Sequence, residues 1–260
     1  MKHAMSRLMT VVAVLGAMAV TGCEKNAVQD ITGAPPGSRI RFFNFGLNAP
    51  SVNFYADERK MTAVSSSSGT EAVTGVSYGA VGSAGLYSGL EPRSYAFSAR
   101  VAATIDKDLA IATVPFTLED GKAYSLYLSG VYDAVAKRSD AFVVADDFVA
   151  SVDFLQTYVR FVNGVFNAAP MTLSARNTVT SVESAVGGLV AYKAAGTFVA
   201  LTPGVYDLST RVSGNATNAI SSTAVSFVAG RVYTVSSRVD ITIVSTTLVN
   251  RPLLGISVNR

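Results

Sequence analysis

Apolar and polar residues alternate along much of this chain. Val52, Phe54 and Ala56 alternate with Asn53 and Tyr55, and Tyr95, Phe97, Ala99 and Val101 alternate with Ala96, Ser98 and Arg100. A period of two sends successive side chains to opposite faces, so these stretches predict strands with one buried face. No stretch after Cys23 carries a convincing apolar stripe at helical spacing. The punctuation is that of antiparallel β structure. Thr202-Pro203-Gly204 suits a type II turn with a positive φ at Gly204, while Gly121 and Gly230 close the short hairpin loops Glu119-Asp120-Gly121 and Val228-Ala229-Gly230. Pro115 interrupts a strand-like run and predicts an edge or a bulge, a defect its counterpart Ala224 need not share.

The pattern occurs twice. Ile40-Arg-Phe-Phe-Asn44, followed by Ala49-Pro50, returns as Val159-Arg-Phe-Val-Asn163, followed by Ala169-Pro170. Leu90-Glu-Pro-Arg-Ser-Tyr95 answers to Leu201-Thr-Pro-Gly-Val-Tyr206, and Gly121-Lys-Ala-Tyr124 to Gly230-Arg-Val-Tyr233. The spacing is 119 residues at the first block, 111 at the second and 109 at the third, which places eight extra residues of the first repeat in Met61 to Gly75, around the loop Ser65 to Ser68. Repeats of 39–153 and 154–260 follow, each with roughly seven short strands, the number expected of a β-sandwich. The tail Leu253 to Val258 has no evident counterpart in the first repeat.

Residues 1–22 have a different character. Lys2 and Arg7 precede an apolar run from Leu8 to Val20, shorter than the roughly 20 residues of a bilayer span, and the run ends on Val20-Thr-Gly-Cys23. This resembles a secretory signal closing on a bacterial lipobox, in which Cys23 is lipidated and becomes the mature N-terminus. Residues 23–38, with Thr32-Gly-Ala-Pro-Pro-Gly-Ser38, then read as a flexible tether. In the lipoproteins it resembles, Asp after the cysteine retains the protein at the inner membrane. Here Glu24 follows, which implies the outer membrane of a Gram-negative envelope.

Composition narrows the chemistry. The 260 residues are 49% hydrophobic and 15% charged, enough for a core in each half. Loss of Lys2 and Arg7 leaves 19 basic against 18 acidic residues, so charge makes no case for nucleic acid. His3 is the only histidine and Cys23 the only cysteine, which excludes Ser-His-Asp and Cys-His nucleophiles and zinc sites built on His or Cys in the mature chain. No cofactor is expected. Carboxylate pairs remain at Asp57-Glu58, Asp106/Asp108, Glu119-Asp120 and Asp146-Asp147. Asp146 and Asp147, flanked by Asp140 and Asp153, form the best calcium candidate, against the plainer reading of solvated turn acids.

Charge divides unevenly. Residues 39–153 carry 10 basic and 13 acidic side chains, and 154–260 carry 8 and 3. Arg160, Arg211 and Arg231 match Arg41, Arg100 and Lys122. They read either as outward residues kept for solubility or as a face that docks on an anionic envelope glycan or an acidic protein partner.

The repeated blocks resemble the bacterial family known as domain of unknown function 4397, found in tandem on secreted proteins and lipoproteins. The likeness rests on the "hydrophobic-Arg-hydrophobic-hydrophobic-Asn" strand with its Ala-Pro, on Pro203-Gly-x-Tyr206, and on Gly-Lys/Arg-x-Tyr; Pro92-Arg-Ser-Tyr95 departs from it. It implies tandem immunoglobulin-like or transthyretin-like antiparallel sandwiches and supplies no site residues. The expectation is an all-β, lipid-anchored envelope protein that binds or scaffolds without catalysis. The alternatives are a carbohydrate-active or calcium-dependent enzyme using the first repeat's carboxylates, and a small-ligand carrier.

Overall fold

The structure, a computed structural model, describes residues 37–62, 74–149, 151–245, 247–248 and 250–260. Cys23, the segment 1–22, nearly all of the tether and the loop Ser65 to Ser68 lie outside the described residues. The described part is all-β, apart from one short 3-10 turn at Gly82–Gly85. No helix in it is long and apolar enough to cross a membrane.

The first half contains β1 (Ser38–Asn44), β2 (Val52–Ala56), β3 (Arg59–Lys60), β4 (Ser88–Leu90), β5 (Ser94–Val101), β6 (Ala110–Thr117), β7 (Ala123–Asp133) and β8 (Arg138–Ala145). The second contains β9 (Thr157–Val165), β10 (Met171–Asn177), β11 (Glu183–Val190), β12 (Ala194–Ala195), β13 (Val199–Leu201), β14 (Gly204–Val212), β15 (Ile220–Phe227), β16 (Val232–Val239) and β17 (Leu253–Val258). Each half is a sandwich. Sheet β4-β1-β7-β8 packs on β3-β2-β5-β6, and sheet β12-β9-β16-β17, with β13 also on β9, packs on β11-β10-β14-β15. Pairing is antiparallel except for β1 with β7 and β9 with β16, which run parallel in both halves.

The tail that lacked a counterpart has one in space. β17 pairs with β16 as β8 pairs with β7, with Tyr233 opposite Val258 and Tyr124 opposite Ala145. One turn expectation is corrected. Gly204 is not among the positive-φ residues; a Cβ there would lie 3.1 Å from Asn177 Nδ2, a tight approach with no left-handed backbone behind it. Ala224, at φ 56, sits beside a register shift between β14 and β15, whereas Pro115 keeps register with Ala96, so the irregularity at this position falls in the second half. Pro115 lies on β6, an edge strand, as its missing N–H demands. Gly121 and Gly230 both take the positive φ their loops need, 72° and 71°.

The eight extra residues also divide. Gly79 N–H bonds to the Asn44 carbonyl as Lys193 N–H bonds to that of Asn163, a spacing of 114. Five of the eight therefore precede Gly79, and three fall between it and β4, where the turn Gly82–Gly85 lies.

The expectation of one buried face holds for β6, β10 and β14 of the outer sheets and fails for β2, whose five residues are all buried, and for β1 and β9. All nine residues of β9 are buried, and in β1 only Arg39 is partly exposed. Ile40 and Phe42 enter the first core, and Val159 and Phe161 the second. The opposite faces enter a third cluster, in which Phe43, Phe45, Tyr127, Phe142 and Val144 meet Val162, with Ala195 packed against them. The inner sheets thus face each other, giving four layers.

Candidate functional site

The residues with the most chemistry lie where the two inner sheets meet. Arg41 and Arg160, expected to point outward, are the two largest fully buried side chains, at 0% and 2% exposure. Each extends from the middle of its first strand towards the other half. Arg41 donates from Nε to Ser125 Oγ at 3.0 Å and from Nη1 to the Val258 carbonyl at 3.1 Å. Arg160 does the same in reverse, from Nε to Thr234 Oγ1 at 3.0 Å and from Nη1 to the Ala145 carbonyl at 2.7 Å. Each guanidinium thus holds the end of the other half's last strand. An aromatic ring covers each, Tyr87 at 4.9 Å from Arg41 and Phe198 at 4.8 Å from Arg160.

Charge at this junction is not symmetric. Asp146 follows β8 and Asn259 follows β17 in the same backbone setting, with their N–H groups bonded to the Ala123 and Val232 carbonyls, each at 2.7 Å. Asp146 ion-pairs with Arg160 through Nη2 and lies 3.9 Å from Arg41 Nε. It also accepts from Ser125 Oγ at 2.7 Å and from the Tyr87 hydroxyl at 2.5 Å. Asn259 donates to the Tyr87 oxygen at 3.1 Å and accepts from Thr234 at 2.8 Å. Two guanidiniums share one carboxylate, and Arg41 Nη2 has no hydrogen-bond partner. Burial, and next the Asp146 charge, push the Tyr87 hydroxyl far above its ordinary pKa, so it stays a proton donor.

Asp147, the other half of the calcium candidate, is exposed on the rim of a hollow of about 430 Å³ also lined by Val144, Arg160, Gly196, Thr197 and Phe198. The flanking acids go elsewhere. Asp140 pairs with Lys193 at 2.6 Å, and Asp153 caps the Leu155 N–H at 2.8 Å. Asp57, Glu58, Glu119 and Asp106 pair with Arg93, Arg100, Lys122 and Lys137. Among the described residues no three His, Cys, Asp or Glu side chains gather to hold a metal ion. The basic trio does not form one face either. Arg160 is buried, Arg211 pairs with Glu183 at 3.3 Å, and Arg231 is exposed in the β15–β16 turn. Burial of Arg160 corrects both surface readings of that residue. Its signal was present in the pairing of an invariantly placed Arg with two apolar neighbours in both halves, but its partner Asp146 could not be told from a turn acid.

The other repeated residues close the backbone. Tyr124 accepts from Glu119 N–H at 3.0 Å and Tyr233 from Val228 N–H at 3.1 Å. Tyr95 and Tyr206 donate to the carbonyls of Glu91 and Thr202, four residues back. Asn44 and Asn163, fully buried, satisfy the chain where it leaves β1 and β9, donating to the carbonyls of Val76 and Val190.

No curated protein matches this chain. A solved structure, that of a candidate cell adhesion protein from Bacteroides fragilis, is similar over 85% of this chain and 98% of its own, at 11% identity and a TM-score of 0.19. A likeness that low carries no argument. The family model "Domain of unknown function (DUF4397)" matches residues 38–174, the whole first sandwich together with β9 and the start of β10. The repeated strand, turn and tyrosine motifs described above fall within or repeat that span, and the chain belongs to the DUF4397 family.

Proposed function

We propose that this is a lipid-anchored envelope protein, held through Cys23 at the outer membrane, that works by binding or scaffolding as a single stiff body. The observation that carries this reading is the reciprocal Arg41/Arg160/Asp146 junction. Buried charges joined by hydrogen bonds to both halves resist sliding and hinging, because any displacement leaves a guanidinium or the carboxylate unpaired in a dry site. Two sandwiches joined this way form one rigid display surface, which suits adhesion or scaffolding. The repeated residues support the same reading, since they serve packing and backbone closure. Partners of the kind this surface would hold are an envelope glycan or a neighbouring protein, met through exposed residues such as Arg231.

The test is to label cells with a radioactive fatty acid and fractionate their envelopes. The wild type is expected to take up label and sediment with the outer membrane, and Cys23→Ser to lose both. A wild type that takes up no lipid would sink the anchor. Carriage of a small ligand is a second reading, favoured by the hollow beside Phe198. Co-purification of a small molecule that is lost on changing Thr197 to a bulky residue would support it.

A further inference from the structure

We propose that one end of the second sandwich, carrying Phe154, Leu155, Val179, Val182 and Val228, rests in the headgroup layer of the bilayer that holds the anchor, with Arg231 and Arg260 against anionic lipid. This rests on the reading of Cys23 as lipidated. All five apolar side chains are more than half exposed. Single exposed apolar residues are ordinary, but these share one end, where β10, β13, β15 and β17 finish and β9, β11, β14 and β16 start. Phe154 lies against Gly230, whose N–H bonds to the Gln156 carbonyl at 2.7 Å. A hollow of about 380 Å³ joins Gln156 to Val182 and Thr202. Arg231 and Arg260 are exposed at the same end, and Val232 N–H bonds to the Arg260 carbonyl. Apolar tips with two exposed arginines at the same end suit the interface of an anionic bilayer.

At the corresponding end of the first sandwich the matching turns carry Asp57-Glu58 and Glu119-Asp120, and Asp57, Glu58 and Glu119 are paired with Arg93, Arg100 and Lys122. The tether enters there. Gly37 N–H donates to Asp120 Oδ1 at 2.8 Å. Corresponding ends of the two halves lie side by side: Arg41 reaches the last residue of β17 and Arg160 the last of β8, while at the far end Ser129 Oγ meets the Gly164 carbonyl. The chain from Cys23 to Gly37 spans at most about 50 Å when fully extended. Anchor and apolar end therefore address the same bilayer. The first half's matching turns are polar, with their acids paired, and present no large apolar side chain, so the second half's tips are the ones that enter the bilayer.

The test reconstitutes the lipidated full-length protein in phosphatidylethanolamine/phosphatidylglycerol vesicles. Acylation of Cys23 leaves no free thiol, so an environment-sensitive probe can be placed by Val179→Cys, or by Val135→Cys in the β7–β8 turn at the far end. Brominated acyl chains are expected to quench the first probe at least twofold more than the second. Removing the anionic lipid, or adding Phe154→Ser with Leu155→Ser, should abolish the difference. Equal quenching, in a protein whose mass shows the lipid on Cys23, overturns the surface and leaves the anchor standing. Disulfide cross-linking of two Val179→Cys chains would assign the face to a second copy and overturn it too. Quenching at position 179 with Cys23 unmodified would keep the surface and overturn the anchor.

Discussion

The two halves use one framework and fill their shared interface differently. Where the first half presents Phe45, Tyr127 and Phe142, the second presents Gly164, Ser236 and Gly255 at the matching positions. Where the first supplies Asp146 and Tyr87, the second supplies Asn259 and Phe198. Bulk and the single acid come from one side, the small residues from the other. Two first halves would clash, and two second halves would bury both guanidiniums with no carboxylate. The difference teaches that duplication is followed by specialisation of the faces that meet, while the faces turned to each separate core keep the original pattern.

The largest expected effect comes from removing the one shared charge. Asp146→Asn keeps the shape and leaves two buried guanidiniums uncompensated, which should cost about 3–5 kcal/mol in denaturant unfolding. Arg160→Met should cost more than Arg41→Met, because Arg160 makes the close ion pair whereas Arg41 stands 3.9 Å away with one nitrogen unpartnered. The reverse order would make Arg41 the principal counter-ion. Next is Tyr127→Ser, which gives the first half the second half's residue and opens a void under stacked Phe43 and Phe142. A loss of about 3 kcal/mol is expected, and a near-neutral result would mean that the halves barely rely on this cluster.

Tyr127 also sets an alkaline limit. Burial pushes its hydroxyl up to about 12, from 10.0 in an exposed tyrosine. A raised pKa means that the folded state keeps the proton after the unfolded chain has lost it. Its contribution is therefore complete below pH 10 and disappears as pH rises towards 12, a change of about 2–3 kcal/mol. Unfolding curves of wild type and Tyr127→Ser at pH 9 and 11.5 should converge. Tyr124→Phe and Tyr233→Phe each remove one bond to a backbone N–H and should cost about 1 kcal/mol apiece. Unequal costs would show that the framework has diverged as well as the interface. The smallest effect is expected for Arg211→Gln, whose pairing with Glu183 is exposed and worth less than about 0.5 kcal/mol. A larger loss would reveal a role the ion pair does not account for.

Much of the fold was legible in the chain itself. Period-two alternation located the outer strands, Gly121 and Gly230 located the hairpin loops, and the repeated blocks divided the chain, since each reflects local backbone geometry or a face buried against its own half. Sequence likewise paired Arg41 with Arg160. What it could not decide was where those side chains point. An Arg between two apolar residues on a strand is outward if the sheet's second face is wet and buried if another sheet covers it, and that depends on contacts more than a hundred residues away, such as Arg41 with Val258. Asp146 was likewise indistinguishable from a solvated turn acid until β8 ends against Arg160, and the match of β17 to β8 lies in its pairing with β16 and not in its letters. Local propensity and one-sided burial are written in neighbouring residues. The second burial, sheet against sheet, exists only once both sandwiches have formed.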